Sequence, residues 1–181
     1  MVTSSIKPIS DIFAFPPQLI PQSYDLTTYS KVFELQPFVR QYWNSAYIAA
    51  VVTVGTMIIS SMAGYAFARI KFPCANLIFT IVLLGLLIPS EVTIVPLFQM
   101  FLEAGMVNTH WPLVLVPIFG APSVFATFVM RQFFVTLPGE LEEAARVDGL
   151  GRFKIFTKIA LPLAKPALAS VAIFTFLHSW N

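Results

Sequence analysis

The chain is 181 residues long, 57% hydrophobic and only 11% charged, with a formal net charge of +2 and a mean hydropathy of +0.78. Soluble domains carry about 25% charged residues, so this deficit, combined with long apolar runs, reads as an integral membrane protein. The small net charge and the lack of a basic patch interleaved with aromatics argue against nucleic acid as a partner, and one cysteine, Cys74, excludes an internal disulfide.

The opening stretch "MVTSSIKPISDIFAFPPQLIPQ" has no basic region feeding an apolar core, so it does not read as a signal peptide. Its prolines and polar residues make it loop or extended chain, and residues 1–43 form a polar segment ahead of a transmembrane domain over 44–181. The first expected span covers 45–68 without a charge, about 36 Å of helix against a hydrocarbon core of about 30 Å. Tyr42, Trp43 and Tyr47 mark one interface and Arg69 and Lys71 the other. Gly55, Ser60, Ser61, Ala63 and Gly64 offer a small-residue surface for close approach by another helix.

A second apolar run covers 76–102 and is divided by Pro89. Neither half is long enough to span alone, so the expectation is one kinked helix, with Ser90 helping to satisfy backbone groups freed by the proline. Glu91 beside that break is either a cavity group that meets solute or a solvated carboxylate near the outer interface. The third run, 110–130, contains Pro117, Gly120 and Pro122, interruptions tolerated where neighbouring helices or a protein-lined cavity supply partners. The fourth runs from Pro166 to the last residue, and its His178 and Trp180 are further candidates for a cavity wall. His110 and His178 are the only histidines and have no ligand spacing between them, so no metal site is expected.

Between the third and fourth runs lies the wettest part of the chain: ten of the twenty charged residues fall within 131–165. Eight basic residues, at 69, 71, 131, 146, 152, 154, 158 and 165, share one side if there are four crossings, against three at 7, 31 and 40. The positive-inside rule then places both basic loops in the cytoplasm and residues 1–43 outside. An outside segment with no preceding span, and a last helix only 16 residues long from Pro166, lead to the expectation that the chain is an internal piece of a longer membrane protein.

Within the charged loop, Pro138 is suited to start a helix, and "GELEEAARV" continues it with good helix formers. Glu140, Glu142 and Glu143 favour its N-terminal end and Arg146 its C-terminal end. Leu141, Ala144 and Ala145 form a small apolar face, and Gly149 is the expected left-handed stop. Phe153, Phe156 and Ile159 then recur every three residues in a second helix that Pro162 is expected to close. Two uses fit such a helix–turn–helix at a membrane surface: contact with anionic lipid headgroups, or docking against another protein.

The stretch "EAARVDGLGRFKIFTKIALP" resembles the EAA signature of the membrane subunits of binding-protein-dependent ABC importers. Glu143, Ala144, Ala145, Gly149, Ile159, Leu161 and Pro162 fall on that pattern with its long spacing. "LLIPSEVTIVPLF", "RQFFVTLPGELEEAARVDG" and "FTFLHSWN" extend the likeness to carbohydrate-uptake permeases of the maltose and glycerol-phosphate type. The resemblance implies an all-α polytopic permease of the type I importer fold, with about four spans here and a cytoplasmic loop over 132–165 that couples to an ATP-hydrolysing subunit. It implies Glu140, Glu142, Glu143, Ala144, Ala145, Asp148, Gly149, Ile159, Leu161 and Pro162 as the coupling and docking set, with Glu91, His178 and Trp180 as cavity candidates. It further implies two ATPase subunits, a second related permease, an external solute-binding protein and a sugar substrate, with no cofactor. Solutes such as a polyol, glycerol phosphate or peptide, and a non-transport membrane scaffold, are the alternatives. The chain itself has no Walker A pattern, since "GLGRF" lacks both its length and its Gly-Lys-Ser/Thr ending.

Overall fold

The computed structural model describes residues 5–8, 15 and 23–180. Two compact units divide the chain, Met1–Asn44 and Ser45–Asn181. In the first, α1 (Thr27–Leu35) begins at an Asp25 carboxylate that accepts hydrogen bonds from the Thr27 backbone N–H at 2.9 Å and the Thr27 hydroxyl at 2.6 Å. The reading of residues 1–22 as loop or extended chain lies outside the described residues over 1–4, 9–14 and 16–22.

All regular structure among the described residues is helical. Helix α2 (Phe38–Arg69) is 32 residues long and contains the uncharged run expected to be the first span. Next come α3 (Ala75–Leu84), extended by a 3-10 turn over Gly85–Leu87, and α4 (Ser90–Glu103). Helices α5 (Trp111–Phe119) and α6 (Ala121–Thr136) meet at Gly120. By length and composition, Phe38–Arg69 and Trp111–Thr136 can each cross a membrane, and two bent pairs raise the number of spans to four if each pair is one span.

The first bent pair corrects the sequence reading. Ala75–Leu87 and Ser90–Glu103 meet at 98°, a right-angled break and not a kinked rod. Pro89 sits at the corner with ψ of 134°, the extended setting that breaks the i→i−4 ladder outright. The second bent pair, α8 (Arg152–Leu163) and α9 (Lys165–Trp180), turns through 76°.

Small residues let α2 and α6 approach closely. A Cβ on Gly64 would lie 2.7 Å from the Met130 Cβ and 2.8 Å from the Arg131 amide nitrogen, so only glycine permits this spacing. Ser60 and Ser61, on the same helix, are buried. Around that contact Tyr65, Met130, Phe134, Phe156, Ala160, Ala164 and Val171 form the main apolar core. Ile48 and Val52 of α2 form a second cluster with Val114 and Ile118 of α5. The contacts expected of the small-residue surface are therefore present, and they are made to α5 and α6.

Candidate functional site

Helix α7 (Gly139–Val147) carries the charged loop, with Pro138 as its N-cap. Its end is a Schellman turn: the Leu150 N–H donates to the Ala145 carbonyl at 2.9 Å, and the Gly149 N–H donates to the Arg146 carbonyl at 3.0 Å. Gly149 takes φ of +80°, which a side chain disfavours although the space around it is open.

The residues singled out on this helix divide between two faces. Glu140, Glu143, Ala144, Asp148 and Gly149 face solvent, together with Leu141 and Val147. Glu142 and Ala145 turn inward, with only 7% and 5% of their surfaces exposed. The apolar face read from Leu141, Ala144 and Ala145 is thus split, with Ala145 packed into the chain and Ala144 left outside. One inward group is a carboxylate, which needs charged partners when buried. Glu142 lies between two arginines: its Oε1 is 3.5 Å from Arg69 Nε and its Oε2 is 3.5 Å from Arg146 Nη2. Close by in sequence to Arg69, the Tyr65 ring packs edge-on against Phe134 with centroids 5.5 Å apart.

Helix α8 departs from the period-three pattern. Phe156 is buried and Ile159 half-buried, but Phe153 is exposed, and the buried positions are Ile155, Phe156, Ala160 and Ala164. A wide π-turn over Phe156–Ala160 moves the inward face on by four and five residues in place of three. The same turn corrects the expected end of this helix. Pro162 does not close it, because it falls in the first turn of a resumed α-segment, Leu161–Leu163, where its missing N–H is no loss. The bend comes at Ala164, between Leu163 and Lys165. Leu161 is half-buried and Pro162 exposed.

The three cavity candidates lie elsewhere in the same unit. A cavity of about 1460 Å³ is lined by the α3–α4 corner and by parts of α5, α6 and α9, and both Glu91 and His178 are on its wall. Its remaining surface includes Phe125 and Phe174, whose ring centroids are 5.2 Å apart, and the polar side chains of Ser90, Thr93, Ser170 and Thr175. Trp180 lines a second cavity of about 730 Å³, where it is joined by His178, and it stacks on Phe176 at 5.7 Å. Among the described residues, neither wall includes a lysine or an arginine. Sequence reasoning did not find the two phenylalanines, which no spacing rule separates from the chain's eighteen, nor the inward role of Arg69, whose partners are 65 and 68 residues away.

The described residues thus form an all-helical membrane-type fold with broken spans and an exposed helix–glycine turn on a charged loop. The family model described as "Binding-protein-dependent transport system inner membrane component" matches residues 55–181, and the chain belongs to that family. Its members are the membrane component of such systems and not their enzyme. The chain is 37% identical over 178 residues to the sn-glycerol-3-phosphate transport system permease protein UgpE of Yersinia enterocolitica, covering 95% of this chain and 62% of that protein. It is 38% identical over 184 residues to the arabinooligosaccharides transport system permease protein AraQ of Halalkalibacterium halodurans, covering all of this chain and 65% of that one. The chain therefore spans somewhat under two thirds of the length of these relatives. Its fold superposes with a TM-score of 0.86 on a chain of a bacterial ABC transporter that imports the acidic polysaccharide alginate, at 23% identity and over 99% of this chain and 62% of the other.

Proposed function

We propose that the chain is part of a permease subunit of an ATP-driven importer of neutral carbohydrates, with α7 as its coupling helix. The observation that carries this reading is the exposed face of α7. Glu143 and Ala144 stand out from the surface beside a left-handed Gly149, a compact projection suited to a cleft in an ATPase subunit. In this arrangement the charged loop faces the cytoplasm, residues 1–43 lie outside, a second related permease completes the path and a solute-binding protein delivers the solute. Ile159, Leu161 and Pro162 belong to the support behind the projection, since α8 packs Phe156 and Ala160 into the core beneath it.

The cavity wall supports the choice of solute class. Aromatic faces at Phe125 and Phe174 suit the apolar faces of sugar rings, and hydroxyls with one carboxylate suit sugar hydroxyl groups. A phosphate or a uronic acid would meet Glu91 with no lysine or arginine among the described residues of this wall to offset it. This favours a neutral oligosaccharide over glycerol phosphate, although relatives of both kinds are similar to the chain.

The test uses the full-length protein assembled with its ATPase, partner permease and binding protein in proteoliposomes. Uptake of neutral oligosaccharide is expected to exceed uptake of glycerol phosphate, and Gly149→Val to hydrolyse ATP with little uptake. Glu143→Lys is expected to weaken co-purification with the ATPase. Full retention of the complex and undiminished uptake in both variants would overturn the assignment of α7.

A further inference from the structure

We infer that Arg69 clasps the joint between α6 and α7, so that movement of the coupling helix is delivered to two spans at once. The idea rests on the importer reading for its consequence, but its geometry stands alone. Arg69 is the last residue of α2. Its Nε donates to the Phe134 carbonyl at 3.0 Å, and its Nη2 donates to the Leu137 carbonyl. These acceptors belong to the last turn of α6 and the residue after it, at the negative end of the helix dipole, and the Phe134 carbonyl also accepts from the Leu137 N–H at 3.3 Å. The same guanidinium faces Glu142, in the first turns of α7, at 3.5 Å.

Between these contacts lies the joint itself, Leu137 and Pro138, both with extended backbone at ψ of 138° and 131°. No helical hydrogen bonding continues through it. One guanidinium, borne by a different helix, therefore holds both sides of the joint. The contact is protected from solvent, with the Arg69 and Glu142 side chains only 16% and 10% exposed. Glu142 Oε1 has no hydrogen-bond partner of its own, and Arg69 is the inward cation that faces it, while the more exposed Arg146 faces Oε2 from the same helix. An ammonium group does not replace it, because a planar fork is required to serve carbonyls and a carboxylate in different directions. Higher up, the contact of Gly64 with Met130 and Arg131 fixes α2 to α6. The helices α2, α6 and α7 thus form one mechanical piece, with Arg69 as a positioning residue at its working end.

The experiment compares Arg69→Met and Arg69→Lys with the wild type in the full-length chain, assembled and reconstituted as above. Solute carried per ATP hydrolysed is expected to fall at least tenfold in Arg69→Met and to be only partly restored in Arg69→Lys. A residue that serves folding alone would lower the yield of complex and leave that ratio unchanged. A second readout does not depend on transport. Nitroxide labels at Lys71→Cys and Val147→Cys, in a Cys74→Ser background, are expected to give a narrow distance distribution that broadens in Arg69→Met and in Glu142→Gln. A distribution that stays narrow in both variants overturns the clasp. A broadened distribution in a complex that never transports sugar leaves the clasp standing and overturns the importer reading.

Discussion

At the scale of single residues, Gly64 shows how much one hydrogen atom can decide. A Cβ there would press on the Met130 Cβ at 2.7 Å and the Arg131 backbone nitrogen at 2.8 Å, and backbone has no rotamer through which to yield. Overpacking of this kind costs about 1–3 kcal/mol, so Gly64→Ala is expected to lower the thermal unfolding midpoint of the detergent-solubilised protein. Gly85→Ala, with nothing within 4 Å of the new carbon, is the matched control and is expected to leave the midpoint unchanged. Equal midpoints in both variants would mean that α2 and α6 do not approach as closely as described. That small residues on α2 serve helix contact was legible in the sequence, because glycine, serine and alanine clustered in an apolar run have few other uses. Their partners were not, since nothing local to residue 64 indicates Met130. The same holds for Arg69, which reads naturally as a flanking interface charge until the carbonyls of α6 are placed beside it.

Whole elements were legible where local chemistry sets their ends. Gly149 ends α7 at φ of +80°, as a glycine after a helical run should, and Pro138 starts it. Elements were misread where a proline has two possible uses. Pro89 turns the chain through 98° where a kink was expected, and Pro162 sits in the first turn of the α-segment that follows the π-turn, where a stop was expected. Both outcomes depend on what packs around the proline, which local sequence does not record. The π-turn also changes which phenylalanines matter. Phe134 is fully buried and Phe153 is 70% exposed, though both are loop-flanking aromatics in the sequence. Phe134→Ala is expected to cost about 3–5 kcal/mol, in the range for removing a core ring, and to loosen α6 from α8. Phe153→Ala is expected to change stability by less than about 0.5 kcal/mol. Chemical denaturation followed by tryptophan fluorescence would separate them, and similar midpoints would contradict the burial of Phe134 and the exposure of Phe153.

For the molecule as a whole, the exposed projection and the cavity are separate parts of one unit. The projection was legible because its motif is contiguous in sequence. The cavity was only partly legible: Glu91 and His178 stood out as ionisable groups in apolar runs, and the structure brings them to one wall, while Phe125 and Phe174 are added by the fold alone. If Glu91 meets a sugar hydroxyl, Glu91→Gln weakens that hydrogen bond and is expected to raise the apparent KM for uptake several-fold with little change in maximal rate, less than the roughly 1.5–3 kcal/mol of a whole bond to a charged group because the amide still accepts. An unchanged KM would assign Glu91 to the solvated rim.

The bond between Arg69 and Phe134 closes a separation of 65 residues. Ribosomes add about 5–20 residues per second, so α2 is complete roughly 3–13 s before its partner carbonyl exists, by that rate. During this interval the buried hydroxyls of Thr56, Ser60 and Ser61 and the Arg69 guanidinium wait without α6. Biogenesis therefore passes through a stage in which a newly made helix displays the surface that later holds the finished protein together, and it is at this stage that the nascent chain is most open to quality-control proteases and to wrong partners.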